Sequence, residues 1–322
     1  MPEEKEEGTA LIMKSRPAMG YICVIAAAIL WASSGTSGKV LFLSGITPLE
    51  LVQMRVTLST VFILGSFALF RRNLLLIRIR DIGYFVILGS LAMALLQLSY
   101  FYAISKIQVS AAILLEYMAP ALIALYSICF WKERFTAIKV IALLLCLAGC
   151  YLVVGGYDLQ ILKMNREGIA WGLISAFAFA GYTLIGERGM HRYSPWTVIF
   201  YAMLFASLTL NIMLEPLGFL RYDYDTRQWW YIMYIVVMGT IIPFGLYFIG
   251  INHIRSTRAS ITATLEPIAA AFMAFFLLGE IPGHLQVLGG IMVISAIVLL
   301  QLQKEHDDMS PYMIRYRKKV KE

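Results

Sequence analysis

Apolar residues in this chain come in blocks of about twenty, separated by short polar connections. A helix rising about 1.5 Å per residue needs about twenty apolar residues to cross a hydrocarbon core of about 30 Å. The blocks predict spans at roughly 18–40, 48–70, 82–104, 109–130, 136–155, 168–187, 195–216, 229–252, 259–279 and 284–303. That is an all-α integral membrane protein of ten transmembrane helices. The tails 1–17 and 304–322 are polar. The chain opens MPEEKEEG, acidic where a secretory signal is basic, so the first block is expected to stay as a span.

The two halves repeat each other at an offset of 147 residues. Thr47-Pro48 matches Ser194-Pro195, Tyr100-Phe101 matches Tyr247-Phe248, Pro120 matches Pro267, Glu133 matches Glu280, and Val140 matches Val287. Residues 18–156 and 167–303 thus form two repeats of five spans each. Five is odd, so the second repeat enters the bilayer inverted relative to the first. Inverted repeats let a protein exchange outward-open and inward-open shapes, which points to a carrier of small solutes.

Charge adds orientation. Of the 27 Lys and Arg residues, 20 fall in connections and tails on one side, six on the other, and one inside a span. The positive-inside rule puts both termini in the cytoplasm of a multi-pass cell-membrane protein. The net charge of +7 is then an orientation signal and does not indicate nucleic-acid binding. The basic tail at Arg315–Lys321 is expected to face anionic lipid headgroups or to stay solvated.

Composition agrees with the pattern: 60% hydrophobic and 15% charged, against about 25% charged in a soluble domain. Cys23, Cys129, Cys146 and Cys150 lie in apolar blocks without metal-ligand spacing and read as small packing residues. No metal or cofactor is expected. The histidines His191, His253, His284 and His306 are scattered, and no phosphate-binding loop is present, so an enzyme is the weaker reading. An intramembrane enzyme on lipid-soluble substrates and a sensor or scaffold without transport are the alternatives. The sequence leaves room for a homodimer.

Charge deep in a bilayer is costly, so it marks candidate sites. Three ionisable residues lie well inside spans: Arg55, Glu116 and Glu266. The glutamates sit near mid-span, each beside an intramembrane proline. Pro120 frees the carbonyl of Glu116, and Pro267 frees that of Ala263. A helix break with a bare acceptor beside a carboxylate suits a cationic nitrogen or a proton, so proton coupling through Glu116 or Glu266 is expected. Arg55 could bind a substrate carboxylate or pair with Glu116, Glu266 or Glu50. The run Trp31-Ala-Ser-Ser-Gly-Thr-Ser-Gly-Lys39 could be a polar cavity wall or a small-residue packing seam. Tyr100 and its repeat mate Tyr247 are candidate lining residues, with Tyr117, Phe179 and Tyr182 as weaker ones. Glu133 and Glu280 read as structural residues at span ends.

Trp31 with Lys39, Pro48 with Arg55, the run Leu114-Leu-Glu-Tyr-Met-Ala-Pro120 ending in Trp131-Lys-Glu133-Arg134, and Leu265-Glu-Pro267 ending in Leu-Leu-Gly-Glu280 resemble the EamA family of the drug/metabolite transporter superfamily. The resemblance covers residues 18–303, one family unit per half. It implies a central cavity walled by spans 1, 3, 4, 6, 8 and 9, and so puts Trp31, Tyr100, Glu116, Tyr182, Tyr247 and Glu266 on cavity-side helices. It also implies transport of small metabolites such as amino acids, many members being exporters. The second half departs from the pattern, with Ala202 at the place equivalent to Arg55.

Overall fold

The computed structural model describes residues 17–107, 109–131, 136–157, 166–278, 283–302 and 310–321. Glu133, Glu280, residues 1–16 and residues 303–309 lie outside the described residues. All regular structure among the described residues is helical. The helices are α1 Pro17–Leu43, α2 Pro48–Phe70, α3 Ile79–Lys106, α4a Val109–Glu116, α4b Ala119–Trp131, α5 Ala137–Val153, α6 Arg166–Met190 and α7 Pro195–Met213. A helical run Thr226–Ala263 follows, broken at Arg255 into α8 (226–254) and α9a (256–263). Then come α9b Glu266–Leu278, α10 His284–Leu302 and a tail helix, α11 Pro311–Lys321.

Among the described residues seven helical runs are long and apolar enough to cross a membrane, a count that takes Ala112–Trp131 across the α4 break as one and Thr226–Ala263 as one. Two shorter apolar helices, Ala137–Val153 and His284–Leu300, accompany them. Local chemistry sets the starts. Thr47 and Glu50 form a capping box ahead of Pro48: the Glu50 amide donates to Thr47 Oγ1 at 3.3 Å, and the Thr47 amide to Glu50 Oε2 at 2.8 Å. Ser194 accepts from the Thr197 amide at 3.2 Å ahead of Pro195. Proline at the first helical position loses no bond there, because that N–H has no intrahelical partner.

Breaks recur at the 147-residue offset. The α4a–α4b break at Tyr117-Met118 corresponds to the α9a–α9b break at Thr264-Leu265. Both α3 and the α8 run carry a π-helical segment, Ile87–Met93 and Val237–Ile241. Each segment holds a glycine with no room for a side chain: a Cβ on Gly89 would lie 2.7 Å from the Ala202 carbonyl, and one on Gly239 would lie 2.7 Å from Ser34 Cβ.

The halves interlock. α1 packs along α8, and its counterpart α6 packs along α3. α2 packs on α7, and α5 on α10. The last pair meets at Gly149 and Gly289, where an added Cβ would come within 2.7 Å of the facing backbone carbonyl. Small residues at such crossings let helices approach closely without a hydrophobic drive from lipid. The buried core runs through both halves, so the lining of any central space is held from both sides.

Candidate functional site

Between the halves lies a cavity of about 50 Å³. α1 contributes Trp31, Ser34 and Gly35; α2 contributes Arg55; α3 contributes Leu96, Gln97, Tyr100 and Phe101. The α4 break supplies Glu116 and Tyr117, and Phe179, Phe244 and Glu266 close it from α6, α8 and α9b. Glu116, Glu266, Arg55, Trp31 and Tyr100 are therefore brought together, along with Tyr117 and Phe179. The small-residue run of α1 serves both expected roles. Ser34 and Gly35 line the cavity, and Gly38 lies 3.4 Å, at the position of an added Cβ, from the Phe101 ring.

Tyr247 and Tyr182 stand one layer back from this cavity. Tyr247 is fully buried, shares a hydrogen bond of 3.2 Å with Thr183, and packs 5.3 Å from the Trp31 ring. Tyr182 stacks on Phe248 at 4.8 Å. Both lie on cavity-side helices, but their faces turn to neighbouring aromatics.

The helix breaks place the carboxylates. Glu116 is the last residue of α4a and accepts a hydrogen bond from Ser175 of α6. Glu266 is the first residue of α9b, where a helix N-terminus favours negative charge. Its Oε2 accepts from the Tyr117 hydroxyl at 2.7 Å. The same hydroxyl lies 2.9 Å from the Ala263 carbonyl, the acceptor that Pro267 frees. The break in one half is thus tied to a side chain at the break in the other.

Arg55 makes neither of its expected ion pairs with the cavity glutamates, nor one with Glu50. Its Nε donates to Thr240 Oγ1 at 3.0 Å and one terminal nitrogen donates to the Gly239 carbonyl at 2.9 Å. The guanidinium also sits 5.0 Å from the Phe101 ring centre. Both acceptors lie in the π-helical turn of α8. Glu50 is occupied in its capping box.

Three residues were not singled out as site residues by sequence. Gln97 is 3% exposed and lines the cavity. Its signal was readable as a lone amide in an apolar span, three residues before Tyr100. Ser175 carried no signal beyond its hydroxyl. Glu187, 1% exposed, accepts from the Ser256 amide at 2.7 Å and from Arg255 Nε at 3.2 Å. It caps α9a and holds the bend at Arg255, whose φ of 66° is unusual for a side-chain-bearing residue.

The tail helix corrects another expectation. α11 docks on the protein instead of standing free. Arg315 donates to the carbonyls of Met190 and Tyr193 and, at 2.6 Å, to Asn252 Oδ1. Beside it, burial and the charges of Arg255, Lys318, Arg315 and Arg188 pull His191 down to about 4. A depressed histidine is neutral when docked, and release of α11 removes the charges of Lys318 and Arg315, so the released state takes up a proton more readily. Docking therefore weakens as pH falls toward 4. Arg315→Ala should expose the amides of 311–321, and acidification from pH 7 to 5 should do so partially. Hydrogen exchange of that peptide measures both.

A model of the EamA-like transporter family matches residues 18–155 and again residues 166–302. The chain belongs to this family. The twofold match falls on the same halves that share breaks and interlock. Among relatives, the "uncharacterized inner membrane transporter YicL" of Salmonella typhimurium is 26% identical over 88% of this chain and 95% of that protein. The "pseudopaline exporter CntI" of Pseudomonas aeruginosa is 25% identical over 66% of this chain and 72% of that one. A solved crystal structure shares the fold, with a TM-score of 0.71 at 16% identity, covering 89% of this chain and 98% of that one. This EamA-family chain is a multi-pass membrane protein whose relatives are named as transporters.

Proposed function

We infer that this EamA-family protein is a secondary transporter of small metabolites bearing a cationic nitrogen, such as amino acids, working by alternating access. The observation that carries this reading is the cavity between the halves, with Glu116 and Glu266 at paired helix breaks on its wall. A carboxylate beside a break binds an amine through charge-assisted hydrogen bonds, and a break is where a helix bends most cheaply. Ten crossings follow if α4a with α4b, and α9a with α9b, each form one, and if α5 and α10 cross as short spans. Five crossings per half make the repeats inverted, and the reciprocal packing of α1 on α8 and α6 on α3 supports that symmetry. The excess of Lys and Arg on one side supports cytoplasmic termini. Export is the favoured direction, in keeping with the relative named as an exporter.

Flux of amine-bearing solutes into or out of proteoliposomes tests the reading. Wild-type protein should carry at least one member of an amino-acid panel. Glu116→Gln should cut that flux by roughly tenfold or more, the scale of one charged hydrogen bond. Equal flux in the variant would remove Glu116 from the site. Proton coupling through Glu116 or Glu266 belongs to the same reading, and flux indifferent to an imposed proton gradient would end that part of it.

A further inference from the structure

The two glutamates account for one end of a substrate, and the opposite chemistry in the same cavity is unspent. Arg55 is 3% exposed, and no carboxylate lies within 4 Å of it among the described residues. Its two hydrogen bonds, to Thr240 and Gly239, go to neutral acceptors and engage two of five N–H donors. Gln97 is also 3% exposed, and its amide nitrogen is shielded from solvent with no hydrogen-bond partner. The indole Nε1 of Trp31 is in the same state. All three side chains line the one cavity. A buried donor without an acceptor costs about 1–3 kcal/mol, and a buried cation without a counter-charge costs more. Two unpartnered N–H donors thus stand beside a guanidinium that has no carboxylate in contact and donors to spare.

Resting on the transport reading above, we propose that Arg55, Gln97 and Trp31 form a carboxylate subsite, so the cargo carries a carboxylate as well as its amine. One guanidinium balances a single negative charge, which fits a carboxylate better than a doubly charged phosphate. The remaining edge of a planar guanidinium can meet both oxygens of a planar group, and the amide and indole each add one N–H. Gln97 is the specificity-determining member. Arg55 also holds the α8 π-turn and Trp31 also packs against Phe244 and Tyr247, whereas the Gln97 amide nitrogen bonds to nothing else. Its repeat equivalent, Phe244, lines the cavity without a donor, so the subsite belongs to the first half alone.

The test uses purified full-length protein and thermal-shift titration with the L-amino acids, each paired with its methyl ester. The ester keeps the amine and removes the negative charge. At least one free acid should stabilise the wild type, with its ester weaker by tenfold to a hundredfold. Gln97→Leu should weaken the free acid about tenfold and its ester by less, because the ester keeps an acceptor carbonyl but not the charge. Acid and ester binding alike, or Gln97→Leu shifting both equally, would overturn the subsite. If the ester binds as tightly as the acid and Glu116→Gln abolishes both, the amine site stands and the carboxylate subsite falls. Failure of every free acid to bind overturns the proposal as well. The acid–ester comparison on wild-type protein does not depend on any variant folding.

Discussion

Replacing Glu187 with Ala should be the most destabilising single polar change in the chain, lowering the apparent melting temperature by roughly 5–10 °C. Glu187 is fully enclosed, and its two oxygens hold Arg255 Nε and the Ser256 amide. Removing one member of a buried charged pair typically costs about 3–5 kcal/mol, and Arg255, which also lies 5.6 Å from the Trp131 ring, keeps its other contacts. Here the loss is compounded. Arg255 holds φ 66° and ψ 167°, a region that disfavours any residue with a Cβ by about 1–3 kcal/mol. That bend persists only while its surroundings hold it, and Glu187 supplies the ion pair and the cap together. Glu187→Gln keeps an oxygen for the Ser256 amide and should lose less than half as much. Thermal unfolding in detergent, followed by size-exclusion fluorescence, compares the two. An unchanged midpoint in Glu187→Ala would mean the bend is held by other contacts. A kinked α9a also sets the angle at which α9b carries Glu266 to the cavity, so the variant should impair transport at temperatures where it remains folded.

Tyr117→Phe should lower transport by roughly tenfold or more while leaving the protein monodisperse. One hydroxyl proton faces two acceptors there, Glu266 Oε2 at 2.7 Å and the Ala263 carbonyl at 2.9 Å. With Glu266 ionised, Tyr117 can serve only one of them fully. With Glu266 protonated, its O–H can donate to the Tyr117 oxygen, which frees the tyrosine proton for Ala263. The protonation state of Glu266 therefore decides which bond ties α4 to the break in α9. Removing the hydroxyl cuts that link and leaves the Ala263 carbonyl without the donor it now has. Transport by Tyr117→Phe should also lose its response to a proton gradient, and Glu266→Gln should lose it too. Full flux with an unchanged gradient response in Tyr117→Phe would show that the contact is packing only. Flux lost to zero with aggregation would show instead that the hydroxyl is needed for folding, and the size-exclusion profile separates the two.

The spans were legible because a bilayer imposes one length on every crossing helix. α2 and α7 begin at the predicted Pro48 and Pro195, where a cap followed by proline is a strong local signal. Paired breaks at Pro120 and Pro267 were legible for the same reason, as covalent chemistry written into the chain. The start of α9 was not. Residues 253–258 read as a polar connection, yet 256–263 is helical because Glu187, some seventy residues earlier, caps it. The π-turns were equally hidden, and the close approach of Gly89 and Gly239 to Ala202 and Ser34 on other helices leaves no local pattern. At the site, depth in the span identified Glu116, Glu266 and Arg55, but their partners could not be read from it. Arg55 found a carbonyl and a hydroxyl on α8, and Glu116 found Ser175, because helix rotation and neighbour identity carry no local pattern. The same gap explains Tyr247 and Tyr182, whose helices line the cavity while their own faces do not.

The claim on which the account turns is that the cavity between the halves opens to each side of the membrane in turn. Gly35 is suited to report it, because it lines the cavity and a Cβ there meets nothing within 4 Å. Gly35→Cys would be made in a chain whose Cys23, Cys129, Cys146 and Cys150 are replaced, then labelled with a membrane-impermeant maleimide in sealed vesicles of each orientation. The account predicts labelling from both faces, slowed from both by a transported amino acid. Labelling from one face only, whatever solute is present, would contradict it.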